Sequence, residues 1–503
     1  MEALSNIAFG LDVALSWTNL LYCFIGVFLG TLIGVLPGIG PTSTISILIP
    51  VAYQIGNPIG SLIMLAGIFY GAQYGGSITS ILLKLPGEVT TIISALDGYQ
   101  LAQKGRAGAA LTIAAIGSFI AGTFATFVVA FAAQPLALIG FKFGPAEYTN
   151  LMILGLLMSI VLTQGSFLKG FGMILLGILL GLIGLDVNTG YERFNLGYLE
   201  LADGIPFPIA AIGMFGLSEV LYNLFHDHEK HLRKKHKKIT LKELIPNKEE
   251  LKRSINPIFR GTFLGSFLGL VPGPGTTISG VASYVTEKKL SNQPEKFGTG
   301  EIEGLAGPES ANNAAAQTSY IPFLSLGLAF SPVPVMLLGA LITFNIIPGP
   351  MLMETNSDLF WGVIASMWIG NIMLLILNIP LISIWVKLLT VPWTILYPAI
   401  FVITTVGAYF ISYNTWHIGI LFLLAIFGYI CRRLDIEVVP FIMGFVLGKF
   451  LEEYLRRALT MSSGNYDIFY ASSISKTILL IIFMALVLKI YAIFRRKALT
   501  TAY

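Results

Sequence analysis

Apolar runs of membrane length, separated by short polar interruptions, dominate the chain from end to end. Runs such as Leu151–Leu162 and Ile478–Leu488 are continuous and lack the alternation of a strand with one wet face, so they predict helices rather than a β-barrel. Further apolar segments centre on residues 59–83, 108–140, 167–185, 205–225, 333–347, 359–378, 379–391, 395–411, 415–431, 438–451 and 476–494. The pattern is that of an all-α integral membrane protein with roughly ten to twelve transmembrane helices, since about 20 apolar residues cross a bilayer core. Ile45–Tyr53 is too short to cross and predicts a half-helix or re-entrant segment. Arg456 and Arg457 fall opposite the basic tail Arg495–Lys497 if the last two segments both cross. That placement conflicts with the positive-inside rule, and one of those segments therefore reads as re-entrant.

One pattern occurs twice. Gly26–Gly40 carries glycine at positions 26, 30, 34, 38 and 40 with Pro37, and Gly261–Gly275 repeats the ladder at 261, 265, 269, 273 and 275 with Pro272. At the offset of 235, eight of fifteen positions are identical. Glycines four apart share one helix face, where a second backbone approaches closely, and Pro-Gly-x-Gly then stops the helix. A break inside lipid leaves backbone polar groups unpaired unless it is buried in protein or lines a wet cavity. Paired breaks in two repeats point to a transporter site at the repeat interface, whereas a single copy would read as a kinked packing seam. The organisation that follows is a first repeat at 1–225, a linker at 226–260 and a second repeat with additional C-terminal helices at 261–503, with inverted topology expected.

Composition agrees and narrows the class. Hydrophobic residues make up 55% of 503 and charged residues 12%, and mean hydropathy is +0.78, where soluble domains carry about 25% charge. Residues 226–260 hold 11 of the 31 Lys and Arg against 5 acidic residues, which places this loop in the cytoplasm. His226, His228 and His231 lie in that solvated basic tract without a supporting ligand set, and Cys23 and Cys431 form no framework. The segment 273–280 lacks the lysine of a phosphate-binding loop, and G-x-S-x-G and H-E-x-x-H do not occur. These observations argue against an enzyme.

Polar residues enter the apolar background at four places. After the first break come Gly38, Gly40, Thr42, Ser43 and Thr44. Within the next span come Tyr74, Gly75, Gly76, Ser77, Thr79, Ser80 and, at its end, Lys84. After the second break come Gly273, Gly275, Thr276 and Thr277. A Gly-Pro break then introduces Glu309, Ser310, Asn312, Asn313, Gln317, Thr318 and Ser319. Hydroxyls and amides hold a carboxylate or a cation without carrying charge through an empty site, and helix N-termini attract anions. All but Glu309 and Gln317 are candidate substrate-binding residues. A coupling Na+ would take the carbonyls freed at Pro37–Gly40 and Pro272–Gly275. For any one hydroxyl, bonding to its own helix is the simpler account. Residues 85–107 read as a polar loop or surface helix.

The ordered series PGIGP, GAQYGGSITSILLKLPG, LDGYQLAQKGRAG, PGPGTTI, EKFGTGEIEGLAGPESANNAAA and IPGP resembles the TctA family, the large membrane subunit of the tripartite tricarboxylate transporters. The resemblance implies a multi-pass protein of the bacterial inner membrane that imports carboxylates on a Na+ or H+ gradient. It further implies a small TctB-like membrane subunit and an extracytoplasmic TctC-like solute-binding protein, with no nucleic acid and no cofactor beyond the coupling ion. An ion or small-solute channel is the alternative, though a channel filter normally repeats around a symmetric ring. Two departures stand out. Lys84 replaces the usual Asn before the first-half Pro-Gly, and Ser325–Phe330 replaces a Pro-Gly segment, which is expected to remove a helix break.

Overall fold

The computed structural model describes residues 2–36, 40–84, 87–161, 166–186, 189–225, 243–271, 275–388 and 393–500. The Pro37-Gly38 and Pro272-Gly273 turns, Leu85, Pro86 and the basic tract 226–242 lie outside the described residues. The candidate residues Gly38 and Gly273, and the proposed carbonyls at those turns, fall there. Among the described residues the only strand pairing is Gly184–Leu185 with Glu192–Arg193.

Before the linker come α1 (Glu2–Ala14), α2 (Trp17–Val35), α3 (Pro41–Ile55), α4 (Pro58–Leu83), α5 (Ser94–Leu101), α6 (Ala107–Gly140), α7 (Pro145–Val161), α8 (Phe167–Gly181) and α9 (Phe207–Phe225). After it come α10 (Lys248–Leu268), α11 (Gly275–Leu290), α12 (Glu303–Thr318), α13 (Tyr320–Leu326), α14 (Pro332–Thr343), α15 (Ser357–Asn378), α16 (Ile382–Leu388), α17 (Trp393–Ser412), α18 (Thr415–Arg433), α19 (Val439–Met461) and α20 (Ser473–Thr500). Among the described residues, five helical stretches are long and apolar enough to cross a membrane: α2, the run from α5 through α6, α9, α15 and α18. Six shorter apolar helices accompany them. The chain is an all-α membrane protein.

Two compact units form, and both are discontinuous in sequence. One takes Met1–Ala137 with Pro208–Tyr429, the other Leu138–Phe207 with Ile430–Tyr503. In the second unit α7 and α8 pack on α19, and α20 packs on α7. There α19 and α20 are helices of 23 and 28 residues, and Arg456 and Arg457 lie within α19, where Arg456 pairs with Asp186 and Glu452, and Arg457 with Glu453.

In the first unit helix boundaries recur. Adding 235 to α3, Pro41–Ile55, gives 276–290, and α11 is Gly275–Leu290. Adding 243 to α4, Pro58–Leu83, gives 301–326, and α12 with α13 covers Glu303–Leu326. The change of offset, 243 less 235, reflects a longer charged connection between the second and third helices of the second repeat. Both short helices are fixed locally: α3 starts on Pro41 and ends on Gly56 at φ 69°. The Asn57 side chain accepts from the Gly60 N–H to cap α4. At 15 residues and about 1.5 Å each, α3 is shorter than a bilayer core of about 30 Å.

The glycine ladders do the same work in both repeats. A Cβ on Gly26, Gly30 or Gly34 would fall on the carbonyl oxygen of Met64, Ile68 or Ala72 in α4. A Cβ on Gly261, Gly265 or Gly269 would fall on that of Gly307, Ala311 or Ala315 in α12. In each case numbers rise together, so the ladder helix and its partner run parallel, joined by the short helix that returns between them. Backbone-to-backbone contact over three turns is the close approach that glycine permits and any side chain forbids.

The expected loss of the later break is not observed. After α13 the backbone leaves the helix at Gly327, φ 70°, and restarts at Pro332. Glycine at the C-terminal left-handed position and proline at the next first turn end and restart helices without a Pro-Gly pair. Residues 85–107 also differ from a surface loop, because Ser94, Ala95, Asp97 and Gly98 of α5 are buried.

Candidate functional site

In the first repeat Gly40 caps α3 with nothing near it, Thr42 is half-buried, and Thr44 returns its hydroxyl to the Gly40 carbonyl at 3.0 Å. Ser43 donates to the Phe215 carbonyl at 3.2 Å and also meets the Glu219 carboxylate. The chain leaving α4 then comes back over the break, so that a Cβ on Gly87 would fall on the Gly34 carbonyl oxygen and lie 2.6 Å from the Thr79 hydroxyl. In the second repeat Gly269, Gly275, Thr276, Ser319, Phe330 and Ser331 line a small recess. Thr276 and Thr277 are half-buried at the start of α11.

Along α4 several candidates are absorbed by packing. Gly75 lies against the Thr31 carbonyl, Thr79 donates to the Gly34 carbonyl at 3.1 Å, and Ser80 meets Thr91 at 2.8 Å. Tyr74 is engaged differently: its hydroxyl donates to Asn371 Oδ1 at 2.8 Å, while the Asn371 amide donates to Phe119 O and Thr123 Oγ1. Tyr74 and Ser77 also line a second small recess with Ser118 and Asn378. Lys84 is exposed, sits at φ 60° as the cap of α4, and holds its ammonium 5.8 Å from the centre of the Tyr99 ring.

On α12 the candidates divide. Ser310 and Thr318 bond their own helix at 2.8 and 3.1 Å and pack against Gly117 and Gly269. Ser319 returns to Ala316 O at 2.7 Å and lines the second-repeat recess. Asn313 donates to Ser118 Oγ at 2.8 Å and to Glu309 O. Asn312 donates to Thr90 Oγ1 at 3.0 Å, and Ser77 of α4 donates to Glu309 Oε2 at 2.6 Å. These contacts join the polar stretch of one repeat to that of the other.

Three groups outside the candidate set help to make this bridge. Glu309 is fully buried, and Glu88 stands beside Gly76, with Glu88 Cβ 3.3 Å from where a Gly76 Cβ would lie. A carboxyl in the middle of a charge-poor helix, and another directly after Pro-Gly, were the available signals. Asp97 is the third. It is buried, accepts from Gly298, Gly300 and Glu301 N–H groups at 2.7 to 3.0 Å, and receives the Tyr284 hydroxyl at 2.9 Å. Gly298 and Gly300, at φ 87° and 108°, turn successive N–H groups toward one anion. This latch ties the LDGYQ motif to the KFGTGE motif and explains why both are present.

At the polar margin Arg106 forks onto Glu250, and the Glu250 side chain also accepts from the Asn247 N–H at 2.8 Å. Burial opposes ionisation of Glu250, but these donors outweigh it and hold the carboxyl below its ordinary value.

Helices broken inside an apolar bundle, with hydroxyl, amide and carboxyl groups gathered where two repeats meet, define a membrane transport protein. The chain belongs to the tripartite tricarboxylate transporter TctA family, whose profile matches residues 20–443. It is 49% identical over 497 residues to an uncharacterized 52.8 kDa protein in the TAR-I ttuC′ 3′ region of Agrobacterium vitis, covering 99% of this chain and 98% of that protein. A second Agrobacterium vitis protein, in the TAR-II ttuC′ 3′ region, is 49% identical over 215 residues, 43% of this chain and 89% of the relative. No solved structure matches the chain.

Proposed function

We propose that this chain is the large membrane subunit of a secondary transporter that imports a carboxylate across the bacterial inner membrane on a Na+ or H+ gradient. A small membrane subunit and an extracytoplasmic solute-binding protein complete the system and deliver the substrate. The observation that carries this reading is the start of the 16-residue helix α11, which follows the second glycine ladder and opens onto a recess lined by Gly275, Thr276, Ser319, Phe330 and Ser331. Unpaired N–H groups and the positive end of the helix dipole attract a carboxylate there, and the Thr276 hydroxyl adds a donor. We assign the substrate carboxylate to this recess, and read the repeats as inverted about it.

The test is uptake of radiolabelled di- and tricarboxylates by vesicles holding the full chain, its small membrane partner and the binding protein. Thr276→Val keeps the shape and removes the hydroxyl. A hydrogen bond to a charged group is worth about 1.5 to 3 kcal/mol, so the half-saturation concentration is expected to rise about ten- to a hundredfold with thermal stability unchanged. Unaltered half-saturation would place the substrate elsewhere, and wild-type vesicles that take up no carboxylate under either gradient would overturn the transporter reading.

A further inference from the structure

Inside the bridge between the repeats, several buried acceptor atoms lack partners. Glu309 is 0% exposed, and its Oε1 has no hydrogen-bond partner, while its other oxygen is held by Ser77. Asn312 is 2% exposed, and its Oδ1 is equally free, while its amide nitrogen is held by Thr90. Glu88 Oε2 is the third buried acceptor without a partner. The three are brought near one another by named contacts: Glu309 bonds Ser77, Glu88 packs against the adjacent Gly76, and Thr90, two residues after Glu88, receives the Asn312 amide. Neither carboxyl forms an ion pair among the described residues.

Buried polar groups in native proteins are almost always satisfied. When ionised, the two carboxyls present with the amide oxygen three acceptors and no donor. Such a set calls for a cation, and an all-oxygen set suits a hard one rather than a transition metal. Glu88 is half-buried, which gives the ion a side from which to enter. We propose that Glu309, Glu88 and Asn312 form the site at which this chain takes up one Na+, the ion whose gradient drives import. This rests on the transporter reading for the purpose of the ion, though not for its binding.

Thermal unfolding of the purified full-length chain, titrated with NaCl against choline chloride at constant ionic strength, reads binding without transport. Wild type is expected to show a saturable Na+-specific rise. Glu309→Gln keeps the shape and should weaken apparent Na+ affinity at least tenfold, Glu88→Gln about as much, and Asn312→Ala about threefold. Glu147→Gln, a carboxyl bonded to Ser472 and Ser475 in the other unit, should leave the shift unchanged. If Glu309→Gln fails to fold, Glu88→Gln and Asn312→Ala decide the matter. No Na+-specific shift in wild type, or equal shifts in wild type and the site variants, would overturn the proposal. A Na+ shift lost in the variants, in a protein that takes up no carboxylate, would keep the cation site and remove the proposed function.

Discussion

In the first repeat the chain after α4 folds back so that a Cβ on Gly87 would fall on the Gly34 carbonyl oxygen. In the second, the residue 243 positions on is Phe330, which lines a small recess with Gly269 and Gly275. The third helix of each repeat shows a matching contrast. Ala66, Phe69 and Tyr70 of α4 correspond at that offset to Glu309, Asn312 and Asn313 of α12. The scaffold is therefore shared down to the backbone contacts, while the polar positions on it differ: Ser77 and Ser80 of α4 correspond at the same offset to Tyr320 and Phe323.

If the ladders are equivalent, they should fail equally, and this is the largest effect expected. Leucine at Gly30 or Gly265 would place its Cβ on a carbonyl oxygen of a parallel helix, and backbone cannot move aside as a side chain tip can. Each variant is expected to lose about 3 kcal/mol or more, seen as a collapse in monodisperse yield and thermal stability in detergent. Tolerance of leucine in one repeat alone would break the equivalence.

The breaks themselves should respond in opposite ways. Gly76 and Ser319 correspond at the 243 offset, but Gly76 abuts Glu88 whereas Ser319 faces the recess. Gly76→Leu should lower stability by about 1 to 3 kcal/mol because the place is occupied. Ser319→Leu should leave the melting temperature within about two degrees and cut uptake more than tenfold by filling the space the carboxylate needs. Equal stability losses would mean that the second recess is as tightly packed as the first.

Much of this scaffold was legible. The ladders announced the close helix contacts because glycine at a four-residue spacing leaves little other reason for itself, and the short α3 followed from its length. The break at Gly327 was not legible, because the expected Pro-Gly is absent and a left-handed glycine five residues before Pro332 does the same task. Burial of α5 was hidden by its charge: Asp97 looks solvated in sequence, and only the fold reveals the three N–H donors that accompany it. The polar clusters were found, but their division was not. Ser310 and Asn312 are equally polar on paper, and what separates them is that one hydroxyl closes on its own helix while one amide oxygen is left free.

The smallest effect concerns the ends of α4 and α13, where Lys84 and Gly327 take the same left-handed conformation, φ 60° and 70°. Glycine adopts it freely, while lysine meets its own Cβ, at about 1 to 2 kcal/mol. The ammonium offsets part of that through the Tyr99 ring, about 0.5 to 1 kcal/mol at an exposed position. Lys84→Gly should therefore be stabilising by about 1 kcal/mol at most. Lys84→Met, which keeps the strain and loses the cation, should be destabilising by about the cation–π contribution. If the lysine is kept for its charge, both variants should raise the half-saturation concentration for a carboxylate about twofold at low salt. An exposed charge about 10 Å from an anion contributes only about 0.4 kcal/mol in water, and about 0.15 M salt removes most of it. The salt dependence decides the matter, because a twofold effect in both variants that vanishes at high ionic strength can come only from charge. An effect in Lys84→Gly alone would come from the loosened end of α4, and no effect in either would leave the strain of Lys84 without a role in substrate capture.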